Sequence, residues 1–237
     1  MGFKHGKDTK VFFGNTEFSS YINNVDLTRT ADIAETTVFG KGSKTFTVGQ
    51  KDGVATIAGF YDTTVDAQLN TMLGNANNTL FLVGTGGVDA TDGCSFGNIL
   101  ETNYGESSPV GEIVAFSCDL QSNNGLYNGS VLENNTYTTT ATGTARDNSI
   151  LTNNGGAGFL IITTASGSTP TADIKIQHSA DNSTYVDLLS FTQATGATSE
   201  IKQVAKGTIV NRYLKVVATL GGTSPSFSAI IGFGRNN

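Results

Sequence analysis

The sequence predicts an all-β protein carrying one short helix, on three observations. Apolar and polar residues alternate along most of the chain, Thr and Val are frequent where they alternate, and Gly and Asn punctuate the runs. That is the pattern of half-buried antiparallel strands joined by tight connections. Val114, Phe116, Cys118 and Leu120 alternate with Ile113, Ala115, Ser117 and Asp119, and Leu214, Val216, Ala218 and Leu220 with Tyr213, Lys215, Val217 and Thr219. Each set places one face in a core and the other in solvent.

The first segment that demands a decision is ETTVFGKGSKTFTVGQKDG, residues 35–53, whose Gly-Lys-Gly-Ser-Lys-Thr looks like a phosphate-binding loop. Such a loop needs Gly-x4-Gly-Lys-Ser/Thr between a strand and a helix, so that backbone N–H groups and the helix N-terminus face the phosphates. Aligned on Lys44 and Thr45, both glycine positions fail: Ser43 and Val38 stand there. The residues that follow, TFTVGQKDGVATIAGF, read as strand, turn and strand, with Gly49-Gln50 and Asp52-Gly53 as turn signals. Phosphate binding is therefore rejected.

Residues 64–73 have Val65, Leu69, Met72 and Leu73 at helical spacing, and residues 62–64 offer capping oxygens. The segment 94–104, the turn-like GESSPVG and the strand 112–121 read as a hairpin, and symmetric pairing would bring Cys94 near Cys118. From 122 to 155 the chain is rich in Asn, Gly and Thr with few apolar anchors, and a linker is expected there. Beyond it, strands at about 158–164, 173–179, 185–191, 200–204, 213–220 and 226–233 come at the short intervals of a compact β-sandwich. The expected organisation is thus a front domain over 1–125, linker and connecting strands over 126–155, and a C-terminal β-sandwich over 156–237.

With 237 residues, 38% of them hydrophobic, the chain is long enough to bury one large core or two small ones. Residues before Arg146 include seven basic and fifteen acidic side chains, and those from Arg146 onward seven and five. The front is therefore −8 and the back +2, which argues against a front that grips nucleic acid, since that affinity comes from Lys and Arg on phosphates. The polar opening MGFKHGKDTK and the shortness of apolar runs such as 80–83 and 159–162 predict neither a signal peptide nor a membrane span.

Catalytic and metal chemistry find no support. Cys94 and Cys118 are too few for a zinc site or a disulfide framework and read as buried thiols. The histidines are His5, near the terminus, and His178, which reads as a rim residue beside an Asp-Asn turn although Asp181 stands close in sequence. The pairs Asp32 with Glu35 and Asp89 with Asp92 follow no calcium-loop spacing and read as solvated loop charges. Four Asn-X-Ser/Thr sequons, at Asn77, Asn128, Asn134 and Asn182, reflect the abundance of those residues. No enzyme, cofactor or metal is expected, and assembly becomes the productive question.

The run VDLTRTADIAETTVFGKGSKTFTVGQKDGVATIAGFYD, residues 25–62, resembles the front part of the major tail proteins, or tail tube subunits, of long-tailed bacteriophages. The matching pieces are Glu35, Thr36, Thr37, Phe39 and Gly40, then Gly49, Lys51, Asp52 and Gly53, then Gly59, with the helix and the 108–125 hairpin in corresponding places. The resemblance covers about the first 125 residues. ADIKIQHSADNSTYVDLLSF and VNRYLKVVATLGG further on look like carbohydrate-binding and discoidin-type jelly-roll modules, through Ile174, Ile176, Ser179, Asp181 to Tyr185, and Arg212 to Val216. These residues carry architecture rather than sugar recognition, and the chain has no Trp to offer a sugar platform.

The resemblance implies a tail-tube-like β-barrel or sandwich followed by a jelly-roll-like sandwich, in a structural virion protein. Subunits would form rings, usually hexameric, stacked into a tube that conducts DNA without binding it, with other phage tail proteins as further partners, no membrane, and synthesis in the host cytoplasm. Glu35, Thr36, Thr37, Phe39, Lys41, Lys44, Phe46 and Lys51 would then contact neighbouring copies, the two phenylalanines as apolar anchors and the lysines meeting acidic partners. Two alternatives stand beside it: a capsid decoration or cement protein, and a glycan-binding adhesion module contacting its ligand through Tyr185 and Arg212.

Overall fold

Antiparallel pairing joins thirteen strands into one sheet in the computed structural model, which describes residues 4–236. In chain order the strands are β1 Lys10–Phe13, β2 Thr16–Glu17, β3 Ile22–Glu35 and β4 Phe46–Phe60. After the helix α1, Thr63–Met72, come β5 Thr79–Gly84, β6 Gly93–Ser107, β7 Ala115–Tyr137, β8 Ala141–Thr142 and β9 Arg146–Asp147. The last four are β10 Gly156–Ser179, β11 Val186–Ser190, β12 Thr198–Val204 and β13 Tyr213–Arg235. The fold is all-β with a single short α-helix among the described residues, as the alternation predicts.

The chain divides into two compact units that interleave along the sequence. One holds the residues up to Ser20, Leu80–Phe96 and everything from Tyr127 on; the other holds Tyr21–Thr79 and Gly97–Leu126. The expected boundary at 125 falls inside β7, which runs unbroken from Ala115 to Tyr137, and the expected linker 126–155 begins within that strand. The polar composition of 122–137 reads as a loop, but backbone pairing makes it a strand: Ser130 to Tyr137 pair with Phe233 to Phe227 of β13. Gly129 permits the approach, because a Cβ there would lie 2.4 Å from the Phe233 carbonyl oxygen.

In the first unit β10 and β13 pair along almost their whole lengths, from Gly156↔Arg235 to Ser179↔Tyr213. Two pairs of strands expected from the sequence are thus each one long strand. The turn-forming residues between them make a bend instead of a reversal, with Gly167 and Thr169 on β10 and Gly222 and Ser224 on β13 all at positive φ and the register shifting there. The run 159–162 is apolar throughout because both its faces are buried. Phe159 and Ile161 join a core with Phe12, Leu82 and Phe96, whereas Leu160 and Ile162 join one with Ile174, Val216 and Phe227.

In the second unit β4 pairs β3 on one side and β7 on the other. Alternation holds: Ala55, Ile57, Phe116, Cys118 and Leu120 are buried, while Thr56, Phe60 and Ser117 are exposed. α1 starts where Asp62 caps the Thr64 N–H at 2.8 Å and buries Val65 and Leu69. Asp66 in its first turn accepts the Tyr104 hydroxyl of β6 at 2.8 Å and the Tyr61 hydroxyl at 3.3 Å. β6 and β7 are neighbours, as the predicted hairpin requires, with Thr102 donating to the Asp119 carbonyl at 3.1 Å. Cys94 belongs to the first unit and Cys118 to the second; both are buried and neither forms a disulfide.

Candidate functional site

The most conspicuous feature of the second unit is the ribbon made by β3 and β4. The last pair between β4 and β7 is Val54↔Gln121; the eight residues of β4 before Val54 continue with β3 alone, about 25 Å of two-stranded ribbon at strand rise. Every residue from Thr28 to Asp52 is exposed. A lone hairpin with both faces in water is marginal, and this one spends large apolar side chains on solvent: Ile33, Val38, Phe39, Phe46 and Val48 are all exposed.

The ribbon is straight where the sequence predicts a turn. Gly49 and Gly53 lie within β4, and the lack of a side chain serves close approach. A Cβ on Gly49 would meet Asp32 Cβ at 3.2 Å, and one on Gly53 would meet Leu126 Cγ at 2.8 Å. The reversal sits instead at residues 36–45, where Gly40 takes φ +85° and Lys41 N–H reaches the Val38 carbonyl at 3.4 Å. A shift of register between Ala31 and Ile33 absorbs the extra residue.

The residues singled out from the sequence divide into two groups here. Glu35, Thr36, Thr37 and Lys44 hold the connection together. Thr36 N–H bonds the Thr45 carbonyl at 2.8 Å, Thr45 N–H bonds Thr37 Oγ1 at 3.0 Å, and Lys44 pairs with Glu35 at 3.0 Å. The Lys44 ammonium is the main reason the Glu35 carboxyl titrates below its ordinary range. Phe39, Lys41, Phe46 and Lys51 instead point into solvent, with Phe39 fully exposed. A strand-to-strand connection of this kind has no helix N-terminus to hold a phosphate.

Sequence reasoning missed Ile33 and Val48, which face each other across the ribbon. It also missed the exposed apolar residues at the other end of the sheet, Phe60, Val110 and Ile113. The signal for the first pair lies in the continued alternation of Ile33, Phe46 and Val48 with polar residues, which reads as an ordinary core face until no core is found over it.

The outward sheet face of this unit is polar and acidic. Paired residues on it are Asp26 with Thr56, Thr28 with Val54 and Thr30 with Asp52, continued across β7 by Asp119 opposite Thr56 and Ser117 opposite Ala58. Thr56 and Asn103 both bond the Asp119 carboxylate, at 2.8 and 3.1 Å, and hold its pKa down in that order. None of these paired positions is Lys or Arg. Among the described strands β3 pairs with β4 alone, which leaves its other edge open to them.

The remaining sequence candidates are occupied by internal contacts of the first unit. Arg212 forks onto Asp147, Nε to Oδ1 and Nη2 to Oδ2, and that guanidinium is the largest cause pushing the Asp147 pKa down to about 2. Tyr185 donates to Asn182, and Lys215 Nζ lies 3.7 Å over its ring. His178 is buried in β10 instead of sitting on a rim, and its Nδ1 accepts the Asn211 N–H at 3.1 Å. Asp181 turns instead to Ser179, Ser183 and Thr184. Asp92 accepts the Asp89 N–H at 3.0 Å and pairs with Lys4 at 3.3 Å. No cluster of three or more His, Cys, Asp or Glu that could hold a metal forms among the described residues, and no described helix is long and apolar enough to cross a membrane.

No protein-family model and no curated protein matches the chain. It is similar in structure to the virion of a native gene transfer agent particle, with 12% identity and TM-score 0.44 over 52% of this chain and 97% of that one. The SPP1 tail tube is 12% identical with TM-score 0.46, over 55% of this chain and 81% of that one. SPP1 Dit, described as a hub of the adsorption apparatus in phages infecting Gram-positive bacteria, is 11% identical with TM-score 0.40 over 95% and 98%.

Proposed function

We propose that this chain is a structural subunit of a phage tail tube, a major tail protein that assembles with copies of itself into stacked, hexameric rings around a DNA-conducting channel. The observation that carries the reading is the β3–β4 ribbon, exposed on both faces from Thr28 to Asp52 and bearing unburied apolar side chains. A protein that orders such an element without covering it within its own chain gains from a partner that does. The resemblance of residues 25–62 to tail tube subunits supports self-association over other partners.

The open edge of β3 gives subunits a place to extend the sheet from one copy to the next, since an unguarded edge strand is a template for pairing. The acidic face through Asp26, Asp52 and Asp119 would line the channel, where like-charge repulsion keeps DNA from adhering while it passes. Residues from about 156 on would decorate the outside, and other tail proteins would meet the tube at its ends. The function is non-enzymatic and located in the virion, after synthesis in the host.

Electron microscopy of the purified full chain tests the reading. Rings or tubes are expected, with a central hole, and removal of residues 36–48 should leave folded monomers. Wild-type protein that stays monomeric at high concentration overturns the proposal, as do intact tubes from the deletion.

A further inference from the structure

The second unit carries exposed apolar residues at both ends of its sheet, and the two ends have opposite charge. β4 runs from Phe46 beside the ribbon tip to Phe60, which pairs with Ala115 at the start of β7. The β6–β7 turn, residues 108–114, therefore lies at the Phe60 end, roughly 45 Å along the strand from Phe46. At the tip, Phe39 and Phe46 are exposed, and residues 35–51 contain three lysines and one acid, Glu35, which pairs with Lys44. At the turn, Val110 is fully exposed and Ile113 two-thirds exposed, and residues 102–114 contain Glu106 and Glu112 and no base. The turn is ordered: Glu112 N–H bonds the Pro109 carbonyl at 3.4 Å, and Gly111 takes φ +88°.

Two copies joined tip to tip would set lysine against lysine, and turn to turn glutamate against glutamate, which costs affinity. Tip to turn matches apolar with apolar and base with acid. We infer that the β3–β4 tip of one copy docks on the β6–β7 turn of a second copy, with Phe39 and Phe46 against Val110 and Ile113, and Lys41 and Lys51 toward Glu106 and Glu112. This rests on the self-assembly reading and adds to it the receiving surface and the polarity. The contact uses different patches on the two partners, so it has a direction: it closes into a ring where the rotation between copies allows and otherwise propagates from copy to copy.

Two double variants test it: F39D/F46D, which spoils the tip, and V110D/I113D, which spoils the turn. All four side chains are exposed, so both variants should keep the wild-type circular dichroism spectrum and thermal midpoint. Each alone should lose about tenfold or more of the sedimentable fraction, as central apolar contacts do on disruption. Mixed in equal amounts, the sound tip of one and the sound turn of the other should form a discrete complex containing both variants. V110D/I113D that assembles like wild type overturns the inference while leaving self-assembly standing, and an equal mixture that forms no complex overturns it as well. Wild type that does not assemble removes both this inference and the reading beneath it.

Discussion

Ile33 and Val48 stand directly opposite each other across the β3–β4 ribbon, 64% and 68% exposed, with no layer of the described residues over them. Cross-strand apolar pairs of this kind normally mark the buried face of a sheet. Here they mark an apolar surface that the described residues leave uncovered.

Replacing both by threonine keeps β-propensity while removing apolar area. The monomer should lose no more than about 0.5 kcal/mol, the usual range for surface changes, and its assembly should fall several-fold by sedimentation. Equal losses in stability and assembly would place the pair in the monomer's core energetics instead.

Glu101 is buried in β6, and neither carboxyl oxygen has a sound hydrogen-bond partner. Desolvation raises its pKa to about 7, against a smaller opposing effect of the Cys118 thiol. The folded state therefore holds this proton more tightly than the unfolded state, so stability is greatest at or below the ordinary carboxyl range and falls as pH rises from about 4.5 through 7. Glu101→Gln should melt at a higher temperature than wild type at pH 8, with the gap closing toward pH 4.5. Parallel melting curves across that range would show that Glu101 finds a partner.

Arg212 and Asp147 give the opposite sign. The Asp147 carboxyl is held near a pKa of about 2, so the pair contributes above the ordinary Asp value near 3.8 and its contribution fades as pH falls toward 2. Arg212→Met should bring the Asp147 titration, followed by carboxylate NMR, back toward 3.8. An unchanged titration would assign the shift to the Ser149 N–H that also bonds it.

Gly59 leaves no room for a side chain: a Cβ would lie 2.1 Å from the Tyr21 carbonyl oxygen and 2.8 Å from the Phe116 ring. Gly59→Ala should destabilise by roughly 2–3 kcal/mol, as forced overpacking does, measured by denaturant unfolding. The comparable change at Gly42, which meets nothing within 4 Å, should be close to neutral.

Local chemistry by itself determined the all-β class, the helix with its Asp62 cap, and the failure of the Gly-Lys-Gly-Ser-Lys-Thr segment as a phosphate loop. Each follows from residue spacing within a few turns or strands, and a capping oxygen or missing glycine acts on its own neighbours. Tertiary structure alone decided what the glycines do. Gly49 and Gly53 read as turn residues, yet the strand continues through them, where a Cβ would press on Asp32 at 3.2 Å and on the Leu126 side chain at 2.8 Å. It likewise made a strand of the polar stretch after Leu120, because β13 supplied backbone partners from about a hundred residues away. The same reason hid the ribbon: alternation announces an apolar face, but whether a core covers that face depends on where distant strands pack, and over Ile33 and Val48 none of the described strands does.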